Sequence, residues 1–138
     1  MAITGGCQCG AVRYSIAAEA PIAVRACWCR VCQYLGAGSG SVNAVFAREG
    51  MTITGRTTDY SVVADSGAVM HRRFCPNCGT PVFSEAEPRP NVIVVRVGTL
   101  DDPNLTPPQQ TIWTSAAPEW ACFDPALPQG AGQTVAAK

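Results

Sequence analysis

The chain has 138 residues and a mass of 14.5 kDa, with 47% apolar and 14% charged side chains, which suits one folded domain and excludes a disordered one. Ten basic residues offset ten acidic ones, and every basic residue except Lys138 is arginine. With zero net charge and no basic cluster denser than Arg72-Arg73, a nucleic-acid partner is not expected.

Taken in chain order, residues 12–16 alternate apolar and polar and predict a first strand. The stretch Arg30–Leu35 reads as a single helical turn, and the Gly/Ser run over residues 36–41 reads as a flexible connection. Strands are then expected over residues 42–46, Met51–Thr54, residues 59–63 and Val69–Phe74. Residues 91–97 are rich in β-branched side chains and are expected to form the most buried strand. Gly and Pro, 13 and 11 residues, punctuate these runs at short intervals, as in an all-β domain of short antiparallel strands. The pattern dissolves after Pro125, so the reading is one domain over residues 1–128 and a flexible tail over residues 129–138. The longest strongly apolar run, residues 92–95, ends at Arg96, far short of the ~20 residues of a membrane-spanning helix. No basic stretch followed by an apolar one opens the sequence, and a cytoplasmic protein is expected.

Eight cysteines are the unusual feature. In an oxidising compartment they would suggest disulfides, whereas tight spacings in a reducing one point to metal. Cys7 and Cys9 stand at i and i+2, so on an extended segment both thiols leave one face. Cys75-Pro76-Asn77-Cys78-Gly79 is a tight turn that aims two sulfurs at one centre, with Gly79 free to exit at unusual dihedrals. Two such pairs supply four thiolates, the complement of a closed structural zinc. Cys27-Trp28-Cys29-Arg30-Val31-Cys32 supplies three sulfurs with no fourth ligand nearby, which is the donor set of an open, catalytic zinc. Completion by Cys122 or His71 into a second structural site is the alternative, and iron–sulfur ligation a further one. His71 reads as a packed or partly exposed strand residue with a proton shuttle as the alternative, Asp101-Asp102-Pro103 as a turn, and Cys122 as a buried small hydrophobe. Trp113 and Trp120 are expected in the core, or lining a pocket.

The segments Gly5-Gly6-Cys7-Gln8-Cys9-Gly10, Cys27-Trp28-Cys29-Arg30-Val31-Cys32 and Phe74-Cys75-Pro76-Asn77-Cys78-Gly79-Thr80-Pro81 resemble the glutathione-dependent formaldehyde-activating enzyme family, whose domain is shared with centromere protein V. Val97-Gly98-Thr99-Leu100-Asp101-Asp102-Pro103 and Ile112-Trp113-Thr114-Ser115 also match it. The resemblance implies an all-β, Mss4-like fold with two Zn2+ ions, a structural one on Cys7, Cys9, Cys75 and Cys78 and a catalytic one on Cys27, Cys29 and Cys32. It implies a carbon–sulfur lyase-like activity on a thiol–aldehyde adduct, as in an S-hydroxymethylglutathione synthase; the alternative is a non-catalytic zinc module that binds a protein. Trp28 and Thr111 stand where relatives often carry His. With Arg30 and Arg72-Arg73 as the only visible anchors and Trp28 between two ligands, the expected partner is a small thiol adduct or aldehyde with an apolar part, glutathione being a weak substrate.

Overall fold

Short β-branched and aromatic runs, cut by Gly and Pro, become two sheets in the computed structural model, which describes residues 2–133. The small sheet holds β1 (Ile3–Gly6), β2 (Arg13–Ile16) and β5 (Met51–Thr54) in the order β1-β2-β5. The large sheet adds β3 (Ala23–Cys27), β4 (Ser41–Ala47), β6 (Thr58–Val63), β7 (Val69–Phe74), β8 (Pro81–Ala86), β9 (Val92–Arg96) and β10 (Gln110–Ile112). Its order is β10-β3-β4-β9-β8-β7-β6, antiparallel throughout except for the parallel β10–β3 pair. A single six-residue helix, α1 (Arg30–Leu35), joins β3 to β4. The expected strands and the helical turn are all present within a residue or two. Strands β1, β3, β8 and β10 are additional. Two glycines in β1, an opening proline in β8 and the brevity of β10 hide them from a pattern of alternation.

Alternation decides which face of the large sheet is buried. Val24, Ala44, Phe46, Phe83, Ile93 and Val95 point inward and are all at least 99% buried. They meet Val12, Tyr14 and Ile16 of the small sheet, with Tyr14 edge-on to Phe83 at 5.3 Å between ring centroids. Burial of each such side chain contributes roughly 1.5–3 kcal/mol against the entropy of ordering the chain. The opposite face is only half covered. In β9 Val92 and Val94 remain partly exposed while Ile93 and Val95 are buried. The strand is therefore one-sided, contrary to the expectation from its apolar run, and its open face carries Arg96.

The Gly/Ser segment after α1 is tied rather than loose. Gly36 and Gly38 donate their N–H groups to the carbonyls of Cys32 and Gln33 at 2.8 Å each. A Cβ at Gly40 would sit 2.8 Å from the Cys27 carbonyl and 3.0 Å from the Trp28 indole, so the loop presses backbone onto the Cys27 turn. The C-terminal segment differs in the same sense from the expected tail. Thr111 donates to Pro128, Gly130 donates to Thr111 and Trp113 donates to Gly132, which seats residues 128–132 beside β10. The remainder of the expected tail, residues 134–138, lies outside the described residues. Among the described residues, no helix is long and apolar enough to cross a membrane.

Candidate metal centres and an adjoining pocket

Four cysteines converge at one edge of the main core. Cys7 follows β1, and its Sγ accepts the Val12 N–H at 3.2 Å. A bulge between Arg73 and Phe74 turns the end of β7 into the Cys75–Cys78 turn. There Gly79 takes φ +77 and donates its N–H to the Cys75 carbonyl at 2.8 Å, the left-handed exit expected of it. The Sγ atoms of Cys7 and Cys9 are 3.6 Å apart and those of Cys9 and Cys75 3.7 Å apart. A disulfide needs ~2.05 Å, whereas sulfurs on the ~2.3 Å arms of a regular tetrahedron stand about 3.8 Å apart. The donor set therefore fits a tetrahedral thiolate-bound ion such as zinc. Donors surround it as well: Asn77 gives its side-chain amide to Cys9 at 3.2 Å and its backbone N–H to Cys75 at 3.4 Å. The Thr80 hydroxyl and amide, with the Cys9 backbone, lower the Cys78 thiol to about 5, so it ionises readily.

Cys27, Cys29 and Cys32 form the second group, their sulfurs all within 4.8 Å of one another. Cys27 ends β3, Cys29 precedes α1, and Cys32 lies in its first turn. The Cys29 sulfur accepts the Cys32 N–H at 3.3 Å and so caps the helix. Hydrogen bonds from the Cys27 and Cys32 thiols, reinforced by the Cys32 and Val31 amides, hold Cys29 far below the ordinary thiol range. Cys27 is pushed up correspondingly. Ile112 and Trp113 pack on the group. Gln33 locks it from behind, donating to the carbonyls of Trp28 at 2.8 Å and Ala116 at 3.0 Å. Among the described residues, no fourth His, Cys, Asp or Glu joins the three sulfurs. Cys122, expected buried, is exposed with its sulfur 3.9 Å from the Trp120 carbonyl, because the segment carrying it runs along the surface. His71 is spanned by Asp59 on Nδ1 at 2.6 Å and Glu87 on Nε2 at 2.8 Å, which engages both ring nitrogens.

That clasp gives a pH prediction. Glu87 and then Asp59 hold the imidazolium of His71 above its ordinary value of 6.5. A raised folded-state pKa contributes stability that is complete below the unfolded value and is lost as pH rises through the folded one. In thermal melts from pH 5.5 to 9, wild type is expected to exceed His71→Gln at the acid end, the gap closing as pH rises. A gap independent of pH excludes this role.

The three-cysteine group opens toward the half-covered face of the large sheet. Register places Cys27 opposite Ser41, and Arg25, Asn43 and Arg96 in the adjacent row. The Ser41 hydroxyl, opposite Cys27 in the register, accepts from the Asn43 side-chain amide at 3.0 Å. Arg96 Nη1 in turn donates to Asn43 Oδ1 at 2.6 Å. Arg96 also lines a cavity of about 540 Å3 with Leu35, Tyr60, Arg72, Phe74 and Pro81. Burial, with the neighbouring Arg72 guanidinium, lowers the Arg96 guanidinium, and the Cys32, Cys27 and Cys29 sulfurs act on it in the opposite direction. Trp28 and Trp113 do not line this cavity. Trp28 is buried edge-on against Phe123 at 5.7 Å, Trp113 packs on the cysteine group, and Trp120 is 69% exposed. Arg30 also stays outside it, bonded to Gln33 and stacked on Tyr34. Sequence reasoning missed Ser41, Asn43 and Arg96; only a polar residue ending an apolar strand marked the last of them.

The family of "Glutathione-dependent formaldehyde-activating enzyme" matches residues 2–116, most of the chain and both cysteine groups. The chain belongs to the glutathione-dependent formaldehyde-activating enzyme family. A Halomonas elongata protein of this family, named "Putative glutathione-dependent formaldehyde-activating enzyme", is 23% identical over 125 residues, covering 87% of this chain and 80% of its own. The fold recurs in a crystal structure of a Rhodobacter sphaeroides protein, with a TM-score of 0.57 and 24% identity over 71% of this chain and 87% of that one. Within the family domain, the sulfurs of Cys7, Cys9, Cys75 and Cys78 gather at one point and those of Cys27, Cys29 and Cys32 at another.

Proposed function

We propose that the protein is a zinc-dependent, carbon–sulfur lyase-like enzyme that makes or breaks a thiol–aldehyde adduct, the chemistry named by its family. The observation that carries this reading is the three-sulfur group with no fourth protein donor among the described residues, set beside a lined cavity. The four-sulfur group is the structural site in this reading. Zinc bound by three thiolates with an open position supplies a Lewis acid that favours a thiolate or polarises an aldehyde oxygen. In the adduct-forming direction the thiol sulfur bonds the aldehyde carbon, the carbonyl π pair moves to oxygen, and the thiol proton ends on that oxygen.

The chain's own residues prepare this step by fixing the sulfurs. The Cys32 amide steadies Cys29 by donating to its sulfur at 3.3 Å. Ile112 and Trp113 pack on the group, and their apolar surface strengthens charge interactions beside it. His71, bonded on both nitrogens, is not the proton carrier, and protons exchange with solvent through the cavity mouth. A small-molecule partner and a cytoplasmic setting that keeps the thiols reduced complete the reading.

The test is loss of free formaldehyde when thiols are supplied to the zinc-loaded protein. The expected result is an acceleration over the thiol–formaldehyde background that vanishes on chelation and returns with added zinc. No acceleration with any thiol, together with four protein ligands on the second metal, favours the non-catalytic binding module instead.

A further inference from the structure

We propose that the cavity beside the three-cysteine group anchors the acidic end of the substrate, an apolar-bodied thiol carrying a carboxylate, with Arg96 and Arg72 as its specificity-determining residues. The proposal rests on the catalytic reading for the word substrate, and on geometry for the anchor. Three arginines line one cavity, Arg72, Arg73 and Arg96, and of these Arg73 is paired with Glu85. Register puts Tyr60, Arg72 and Ser84 in one row, while Arg96 lies in the row that leads to Cys27 and Ser41. The acidic side chains near them are engaged elsewhere. Glu85 takes Arg73 at 3.0 Å and Arg48 at 3.6 Å, and Asp59, at the cavity rim, is held by His71. Neither Arg72 nor Arg96 forms an ion pair among the described residues.

Arg96 is the more telling of the two. Its Nη1 is used on Asn43, while its Nε is buried without a hydrogen-bond partner. An unmade hydrogen bond on a buried charged group is costly, and the Nε edge of a guanidinium is half of the fork that grips a carboxylate in two parallel bonds. The walls opposite are apolar, contributed by Leu35, Tyr60, Phe74, Pro81 and Phe83. A site with cationic groups at one position and carbon elsewhere favours an apolar acid over either a neutral apolar molecule or a small hydrophilic anion. The hydrogen bonds Arg96–Asn43 and Asn43–Ser41, with Ser41 opposite Cys27 in the register, then set the spacing between the carboxylate end and the cysteine group. The aromatic rings expected to line the pocket, Trp28, Trp113 and Trp120, are absent from this lining, and Arg96, unseen in the sequence, belongs to it.

The test is calorimetric titration of the zinc-loaded protein with phenylacetate, which has the acid and the apolar body but no thiol. Its binding is read whether or not any thiol–aldehyde adduct turns over, so failure here and failure of the catalytic reading give different results. Saturable binding is expected, weakened about 10-fold or more in Arg96→Gln and in Arg72→Gln, as loss of a charge-assisted hydrogen bond predicts. Phenethyl alcohol and acetate are each expected to bind about 10-fold or more weakly than phenylacetate. Should Arg96→Gln fail to fold because Asn43 loses its donor, Arg72→Gln, which breaks no such bond, carries the test. Equal binding of phenethyl alcohol and phenylacetate, unchanged binding in the folded arginine variants, or no saturable binding at millimolar concentration overturns the proposal.

Discussion

Replacing Cys75 with serine is expected to abolish cooperative folding and to remove one equivalent of bound zinc. Cys75 is wholly buried, at 0% exposure, and lies in the main core rather than at its margin. Its sulfur meets that of Cys9 across 66 residues of sequence, so an ion held there ties the start of the chain to the end of β7. A structural zinc contributes on the order of 10 kcal/mol to folding, comparable with the whole net stability of a domain this size, about 5–15 kcal/mol. Circular dichroism melts and metal analysis of Cys75→Ser against Cys122→Ser check this. Cys122 is exposed and outside both groups, so its variant is expected to keep wild-type metal content and to melt within about 0.5 kcal/mol of wild type. A Cys75→Ser protein that melts cooperatively with full metal content refutes the structural role.

Replacing Cys29 with serine is expected to have the opposite profile: a folded protein that retains one zinc and has lost its thiol-dependent consumption of formaldehyde. None of Cys27, Cys29 or Cys32 belongs to the main core, and Cys29 is only partly buried. Serine at this position also preserves the local structure, because the Cys29 side chain caps α1 by accepting the Cys32 N–H and a serine hydroxyl is a favoured cap. The stability change should stay within about 1 kcal/mol, while the rate falls to that of thiol and formaldehyde alone. Metal analysis, a thermal melt and the formaldehyde assay on the same preparation distinguish the outcomes. A mutant that unfolds, or that keeps both metal equivalents and full rate, shows that the three-sulfur group is not the open site.

The contrast between these variants was already visible in the cysteine spacings. A pair across two residues is a local device whose geometry is set by a few dihedrals, and the Cys75–Cys78 turn kept it, whereas Cys7 and Cys9 sit on a turn closed by the Gly10 N–H on the Cys7 carbonyl at 3.1 Å rather than on an extended segment. Alternation likewise located most strands, since side chains on opposite faces of a strand meet core or solvent independently of what lies further away. The misreadings have a common cause. Residues 92–95 look buried on both faces, yet only the face meeting the small sheet is covered. Cys122 looks like a core thiol, yet its segment has no element packed over it. Residues 128–132 look like a tail, yet their backbone pairs beside β10. Each error concerns what packs against a segment, which composition does not encode.

Composition, spacing and alternation point to an all-β chain and to three local sets of sulfurs, Cys7 with Cys9, Cys75 with Cys78, and Cys27 with Cys29 and Cys32. These sets are properties of neighbouring residues, whereas the joining of the first two into one group across 66 residues belongs to the tertiary structure. Only the tertiary structure decided that the three-sulfur group faces the open side of the large sheet and that Trp28 turns away from the cavity. It also decided that Arg96 is linked through Asn43 to Ser41, which stands opposite Cys27. Strand order and register bring those residues into adjacent rows, and both are settled by which faces the whole chain can bury at once.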